Sequence, residues 1–406
     1  MNPAVVVGAG PVGLSAALAL RAHGLPALVL EADPEDRERP GSRALFVHRE
    51  TLALLDGVAP GLAAEITAYG RTWHTRRTLY RGREVYARTF PPRSGPQTAL
   101  PPFTSLRQVD TERFLRAACA RAGVEFAWGA RVTDVRTTPD GAVLSGEDGR
   151  EWHAGHVVAA DGARSAVRRG LGIAMEGVRG EGFHVVVDVA DVADVPGAEL
   201  PLERVFHYEH PGVGGRSVMR VPFTGGFQVD LQCRDDDTEE AFGTEEAVRR
   251  WLPAVVGDGY GYGGADGHDR RILWVSTYRF LRKVAASFAD PHRRVLLVGE
   301  AAHLFPPFGA RGMNSGIADA VAAARAVAAG TDRAVEEFAG TRRAAGLFNS
   351  AAAGLALEHL RPRRRTVRLR QRAAAALAPV LPSCGSWLEH APYGPRGGAP
   401  AAAGKY

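Results

Sequence analysis

Apolar and polar positions along the chain follow two periods. Val5-Val6-Val7 is a short apolar run of the kind a strand buried on both faces shows. After Gly13 the stretch LSAALALRAHG places apolar residues at helical spacing and stops at Gly24. Ala27 to Leu30 forms the next apolar run, closed by Glu31. Together these predict a β-α-β unit of about thirty residues. A second helix is predicted from Asp110 or Thr111 to Gly123. It leads through Val124–Phe126 into a hairpin-like stretch with turn signals at Asp140-Gly141 and Asp148-Gly149.

From about Gly180 to Thr277 the period shortens to two. FHVVVDV, ERVFHYEH, RSVMRVPF and FQVDLQC read as antiparallel strands separated by Gly and Pro. Arg294 to Val298 then returns to a short apolar strand, followed by a glycine-rich loop and an alanine-rich helix over roughly Met313 to Ala329. The pattern predicts an α/β fold: a Rossmann-like domain written in several segments, an inserted mixed or antiparallel β-sheet domain, and C-terminal helices. Residues 1–75, 100–179 and 278–335 are assigned to the first, 76–99 and 180–277 to the second. Residues 336–395 are expected to form a helical segment and 396–406 a flexible tail. No internal repeat is present.

Composition narrows the class. A chain of 406 residues has room for two domains, and 45% apolar with 23% charged residues is ordinary for a soluble globular protein. The three cysteines, Cys119, Cys233 and Cys384, form no CxxC pair, which argues against a zinc site or disulfide framework and fits a reducing cytoplasm. The apolar N-terminus lacks a basic n-region and is broken by Gly8, Gly10, Pro11 and Gly13, so it does not read as a signal peptide. Arg or His recurs too often for a membrane span. The net charge of +5 invites a nucleic-acid partner, but Lys283 and Lys405 are the only lysines, and the arginine excess accompanies heavy Ala, Gly and Pro usage. That is a compositional bias rather than a binding surface. Arg361 to Arg372 is read as the solvated face of a helix, with an anion-attracting patch as the alternative. Neither nucleic acid nor membrane is expected as a partner.

Gly8-x-Gly10-x-x-Gly13 follows a strand and opens a helix. The first glycine permits the tight turn, the second close approach to a pyrophosphate, and the third close helix–strand packing; Pro11 and Val12 lie inside the loop. Glu31 arrives 23 residues after Gly8, where a carboxylate can accept both hydroxyls of an adenosine ribose. The bland alternative is an ordinary strand-turn-helix with Glu31 on the surface. The motif alone does not separate NAD from FAD.

Two further motifs do. Ala159-Ala160-Asp161-Gly162-Ala163-Arg164-Ser165 and Val298-Gly299-Glu300-Ala301-Ala302-His303-x-x-Pro306-Pro307-x-Gly309-x-x-Gly312-Met313-Asn314 resemble the "DG" and "GD" motifs of the para-hydroxybenzoate hydroxylase family. Arg43, in Pro40-Gly41-Ser42-Arg43-Ala44, matches an arginine which that family places near the flavin, and Gln108 matches its FAD-contacting glutamine. The Trp387–Pro395 stretch is similar to the family's tail. Two departures stand out: Glu300 replaces the usual Asp, and Ile317-Ala318-Asp319-Ala320-Val321 lacks an Asn that often follows.

The resemblance implies FAD as cofactor, NAD(P)H as reductant, and oxygen transfer to an aromatic or polyketide-type small molecule through a flavin C4a-hydroperoxide. It implies cofactor contacts at Gly8, Gly10, Pro11, Val12, Gly13, Glu31, Arg43, Gln108, Val132, Asp161, Glu300, Gly309, Gly312, Met313 and Asn314. Gly312, Met313 and Asn314 would offer N–H groups to the N1–C2=O edge of the flavin. Arg43 and Pro307 become candidates beside the reacting ring. His207, Tyr208, His210 and Tyr278 are candidates to polarise a phenol, each also readable as core or rim. Arg164 and Arg168 read either as nucleotide contacts or as surface and structural arginines, and His303 as site or scaffold. An alternative of the same fold keeps FAD mainly as scaffold, as in a natural-product cyclase.

Overall fold

The computed structural model describes residues 3–37, 45–90, 100–191, 200–256 and 272–395. Arg43 lies outside them. Five short strands form a parallel sheet in the order Val295–Leu297, His156–Ala159, Ala4–Val7, Ala27–Leu30 and Glu125–Ala127. Ala4–Val7 is central and buried throughout, which is why its sequence is apolar without alternation. The helices Pro11–Ala22, Gln108–Arg121 and Arg311–Ala329 pack around this sheet and bury their apolar stripes in one core. The first helix ends at Ala22, with Gly24 in the left-handed region at φ +76°. The hairpin-like stretch is a three-stranded antiparallel unit of Val132–Thr138, Gly141–Gly146 and Glu151–Ala154.

A second, eight-stranded sheet runs in the order His303–Leu304, Ile272–Ala285, Met175–Ala190, Gly226–Gln232, Arg216–Phe223, Glu203–His210, Thr75–Tyr80 and Arg83–Thr89. It is antiparallel except where Glu203–His210 lies parallel to Thr75–Tyr80. The two longest strands, Met175–Ala190 and Ile272–Ala285, pair from Met175 with Ala285 to Val189 with Ile272, and their Met175 and Val284–Ala285 ends pack into the core of the parallel-sheet half. One face of the sheet packs Phe183, Val185, Val187, Phe227, Val229 and Leu231 against the helix Glu245–Val256. The other face looks toward the parallel-sheet half.

The helices Asp332–Leu360, Arg365–Leu377 and Pro382–His390 close one side. The arginine-rich run does not form one helix. Leu360 ends the first because Pro362 cannot continue it, and the next starts only at Arg365. Arg361 is therefore not on a solvated face. Its guanidinium packs over the Phe280 ring, 5.3 Å from the centroid, and pairs with Asp235. Arg363, Arg364, Arg365, Arg368, Arg370 and Arg372 are exposed as expected. No helix among the described residues is long and apolar enough to cross a membrane.

Candidate active site

A single cavity of about 1860 Å³ runs from the glycine loop to the inward face of the large sheet. Pockets for small molecules occupy about 300–1,000 Å³, so this one has room for a dinucleotide and a second ring system together. Its far end is lined by Gly8, Gly10, Pro11 and Val12, together with Glu31 and Val132.

The three glycines of the loop carry different burdens. Gly8 has φ +102°, and a Cβ there would sit 2.6 Å from the Ala160 carbonyl oxygen. A Cβ on Gly13 would lie 1.9 Å from the Gly8 carbonyl oxygen, so Gly13 packs helix on strand and does not face the cavity. Gly10 has nothing within 4 Å of its Cβ direction, and that open side belongs to the cavity wall. The helix begins at Pro11 with no side chain capping it, and its first backbone bond is from Leu14 N–H to the Gly10 carbonyl at 3.0 Å. The N–H groups of Val12 and Gly13 precede that bond, as a phosphate site requires.

Glu31 is held at the end of its strand. Its Oε2 accepts from the Ala9 N–H at 2.6 Å and its Oε1 from the Asp33 N–H at 3.0 Å. It is 6% exposed and lines the cavity, so its remaining lone pairs are aimed where ribose hydroxyls would lie. It is not the surface residue of the alternative reading.

Asp161 follows the strand His156–Ala159. Its Oδ2 accepts from the Val167 N–H at 3.1 Å, while its buried Oδ1 has no partner among the described residues. Burial holds this carboxyl above the usual range, with hydrogen bonds from Ser165 and Val167 opposing. Glu300 stands in the Gly299–Ala301 turn after the strand Val295–Leu297, exposed to the cavity. That turn is pinned from behind: the Gly299 N–H donates to Asp319 Oδ2 at 3.2 Å, and Arg168 donates to the Ala301 carbonyl at 3.0 Å. Asp319 also accepts from His303 Nε2 at 2.6 Å and from Arg342 Nε at 2.7 Å. His303 and Arg168 are thus buried scaffold, whereas Arg164 lines the cavity.

Gly309, Gly312, Met313, Asn314 and Pro307 all line the cavity at the start of the helix Arg311–Ala329. Ala310 caps that helix in the left-handed region with no side-chain bond. The Asn314 side chain is already engaged: it accepts from the His48 N–H at 3.0 Å and donates to the Phe46 and Ala310 carbonyls at 2.8 Å. The free donors of this first turn are therefore backbone N–H groups, beside the positive end of the helix dipole. Gln108 lines the same cavity and donates to Glu112 at 3.0 Å.

The large sheet supplies the remaining wall with Arg76, His184, Arg204, Phe206, Met219, Gln228, Asp230, Gln232, Trp274 and Tyr278. Of the phenol-polarising candidates, only Tyr278 is in it, its O–H donating to the Phe305 carbonyl at 3.2 Å. His207 is a correction. Side chains alternate along Glu203–His210, and Arg204, Phe206 and Tyr208 take the inner face. His207 points to the opposite face, where Nε2 accepts from the Gly82 N–H at 2.9 Å and the ring packs on His210. Burial, with His210 beside it, lowers its pKa to about 4. Tyr208 is buried behind the cavity, bonded to His359 and to the Leu388 carbonyl. His210 accepts from the Gly212 N–H at 3.1 Å.

The polar residues on this wall were not singled out in the sequence. The available signal was FQVDLQC: a strand with one apolar face and Gln, Asp and Gln on the other, in a segment too apolar overall to be a surface strand.

Comparison with known proteins agrees with this geometry. A family model described as an FAD binding domain matches residues 1–341. The 12-dehydrotetracycline 5-monooxygenase/anhydrotetracycline 6-monooxygenase of Streptomyces rimosus is 32% identical over 340 residues, covering 78% of this chain and 60% of that protein. A rifampicin monooxygenase of Rhodococcus hoagii is 28% identical over 326 residues, covering 79% and 62%. The chain thus spans less than two thirds of either relative. Among solved structures, p-nitrophenol 4-monooxygenase from Pseudomonas putida matches with a TM-score of 0.75 at 24% identity, over 98% of this chain and 99% of that one. A Diels-Alderase of the pyrroindomycin pathway matches at 0.69 and 23%, over 98% and 81%. At such identities the two structures bear on fold alone. The family match takes in the whole dinucleotide half and all eight strands of the large sheet, and by it the chain belongs to the FAD-binding-domain family, among the flavoproteins similar to para-hydroxybenzoate hydroxylase.

Proposed function

We propose that the protein is an FAD-dependent monooxygenase that hydroxylates an aromatic or polyketide-type small molecule, using NAD(P)H and O2. One observation carries the reading: the dinucleotide cradle and the inner face of the large sheet open into the same cavity. When bound, FAD supplies the redox chemistry, taking two electrons from NAD(P)H and activating O2.

The chain's own residues do the rest. Gly10 and the first turn of Pro11–Ala22 would receive the diphosphate, and Glu31 would accept from the adenosine ribose. Asp161 and Glu300 offer carboxylates to the hydroxyls and nucleotide groups between the two halves. The N-terminus of Arg311–Ala329, whose first-turn N–H groups face the cavity, would stabilise negative charge on a bound flavin ring. Phe206, Met219, Trp274, Phe305 and Phe308 give the reaction space an apolar lining that keeps water away from reactive oxygen. Pro307, on the cavity wall, is taken to lie beside the reacting ring, and the resemblance would add Arg43, which is outside the described residues. The relatives support this reading: one is a 12-dehydrotetracycline 5-monooxygenase/anhydrotetracycline 6-monooxygenase and another a rifampicin monooxygenase.

The test is anaerobic reduction of the FAD-bound protein by NADH and by NADPH, with and without a panel of phenols and polycyclic aromatics. It is followed by mass analysis for incorporation of oxygen from labelled O2. The expected result is reduction stimulated by an aromatic ligand and one labelled oxygen in the product. A protein that binds FAD but is reduced by neither nucleotide with any ligand would replace this reading with the scaffold-flavin one.

A further inference from the structure

The strand Gly226–Gln232 is buried along its whole length, yet only one of its faces is apolar. Phe227, Val229 and Leu231 enter the core under Glu245–Val256, while Gln228, Asp230 and Gln232 line the cavity. Alternation leaves no other arrangement: a strand that reads Q-x-D-x-Q on one face presents three polar groups to whatever covers that face.

Asp230 is the centre of that row. Its register partners on the same face are Val186 and Met219, and Phe206 follows beyond Met219. These neighbours are apolar, and Asp230 is 8% exposed. Gln228 is satisfied by donating to Asp188 Oδ1 at 2.8 Å. Asp230 Oδ1 and Gln232 Oε1, by contrast, have no hydrogen-bond partner among the described residues. A buried acceptor left without a donor is costly, so a residue of this kind at a cavity wall is most economically explained by a ligand that completes it.

We propose that Asp230 accepts a hydrogen bond from a hydroxyl group of the substrate, so that the cavity selects aromatic ligands with a phenolic or enolic hydroxyl on the edge facing the sheet. The inference rests on reading this cavity as the substrate site. Gln232 stands two residues along the same face, roughly 7 Å away. It offers a second polar contact at a spacing suited to another oxygen along one edge of a fused-ring molecule. Burial, and then the charge of Asp188, pushes the Asp230 carboxyl up to about 7. Near neutral pH it can therefore hold or release a proton at the atom the hydroxyl meets.

The experiment uses the FAD-bound protein with two probes of nearly equal shape, 2-naphthol and its O-methyl ether 2-methoxynaphthalene. Binding is read from the perturbation of the flavin absorption band. A hydrogen bond to a charged acceptor corresponds to about 10- to 150-fold in affinity, so wild type is expected to prefer the naphthol by at least tenfold. Asp230→Leu, which extends the apolar row of Val186 and Met219, should bring the two affinities within about threefold. Asp230→Asn should fall between, since an amide oxygen accepts without charge. A wild-type measurement guards against a misfolded variant: its preference should grow from pH 6 to pH 8 as the carboxyl ionises. The other titratable or charged groups around this space are His184, Tyr278, Arg204 and Arg76 on the sheet, with Arg311 and Tyr393 from other segments, and Asp188 is buried beside Gln228 on the same sheet. Any pH dependence that survives in Asp230→Leu belongs to them. Equal binding of the two probes by wild type, binding of neither, or an undiminished preference in Asp230→Leu would overturn the proposal. Substrate-stimulated reduction by NAD(P)H, measured on the same samples, reports on the proposed function separately.

Discussion

Gly10 and Gly13 belong to one motif but are expected to fail in opposite ways when each is changed to alanine. Gly10 has φ −74° and ψ 176°, an extended conformation that any residue adopts, and a methyl group there meets nothing within 4 Å. Gly10→Ala should leave the flavin-free protein as stable as wild type, or raise its stability by about 0.4–1 kcal/mol through the unfolded chain. The new methyl projects into the cavity where the diphosphate would approach the backbone. Losing even one charge-assisted hydrogen bond there costs about 1.5–3 kcal/mol, or roughly 10- to 150-fold in FAD affinity. Gly13→Ala places its Cβ 1.9 Å from the Gly8 carbonyl oxygen, and only backbone movement relieves that contact. Overpacking of this kind costs about 1–3 kcal/mol or more. At about 2–4 °C per kcal/mol in a domain of 150–250 residues, the melting temperature of the flavin-free protein should drop measurably. FAD titration and thermal melts on both deflavinated variants give the two axes. If Gly10→Ala binds FAD as wild type does, this loop is not the diphosphate site. If Gly13→Ala melts with wild type, the close helix–strand packing is not what Gly13 serves.

Three other outcomes follow from the same geometry. Glu300→Ala should weaken FAD binding about 10- to 150-fold with little change in the melting temperature of the flavin-free protein, while Glu300→Asp should lose far less; titrating FAD into both decides it. Burial alone would raise the Asp319 carboxyl, but His303 and Arg342 more than offset that and hold it below the usual range. Its contribution to stability should be complete above about pH 3.9 and fade as pH falls toward the lower folded value, a slope that Asp319→Asn removes from melts taken between pH 5 and 3. Burial, then Arg370, lowers His359 to about 4. The unfolded chain therefore takes up its proton first, and stability should fall from about pH 6.5 to pH 4, by on the order of 3 kcal/mol, with a shallower slope in His359→Gln.

The dinucleotide half was legible because its constraints act on backbone and are local in the chain. A glycine needed at φ +102° in Gly8, an apolar strand before it and an acid at the end of the next strand all fall within one β-α-β unit. The first turn of Arg311–Ala329 was legible for the same reason. The sheet wall was not. Along Glu203–His210 a period of two is plain, but which parity faces inward is not, because the inner face carries Arg204, a charged residue that composition would send to solvent. Arg204 stays inside because Glu389, 185 residues away, pairs with it while also accepting from Thr78 Oγ1 at 2.7 Å. No local pattern contains that partner, so the parity that puts Arg204 inward and His207 outward is not readable from the strand itself.

That same distance in sequence has a structural consequence for the substrate half. Arg204 lines the cavity and Glu389 is fully buried on the helix Pro382–His390, so the C-terminal segment is part of the wall's support. The helix is attached at several points: Tyr208 donates to the Leu388 carbonyl at 2.6 Å, and Arg76 approaches Glu389 at 3.9 Å. Removing one member of a buried ion pair leaves the other uncompensated and costs about 3–5 kcal/mol, far more than a surface pair. The Arg204–Glu389 pair therefore acts as a clamp between the inner strands and the last helix. Both ends of the cavity draw on residues beyond 341, where the family match stops: Arg342 holds Asp319 behind the Gly299–Ala301 turn, and Glu389 holds Arg204 in the sheet wall.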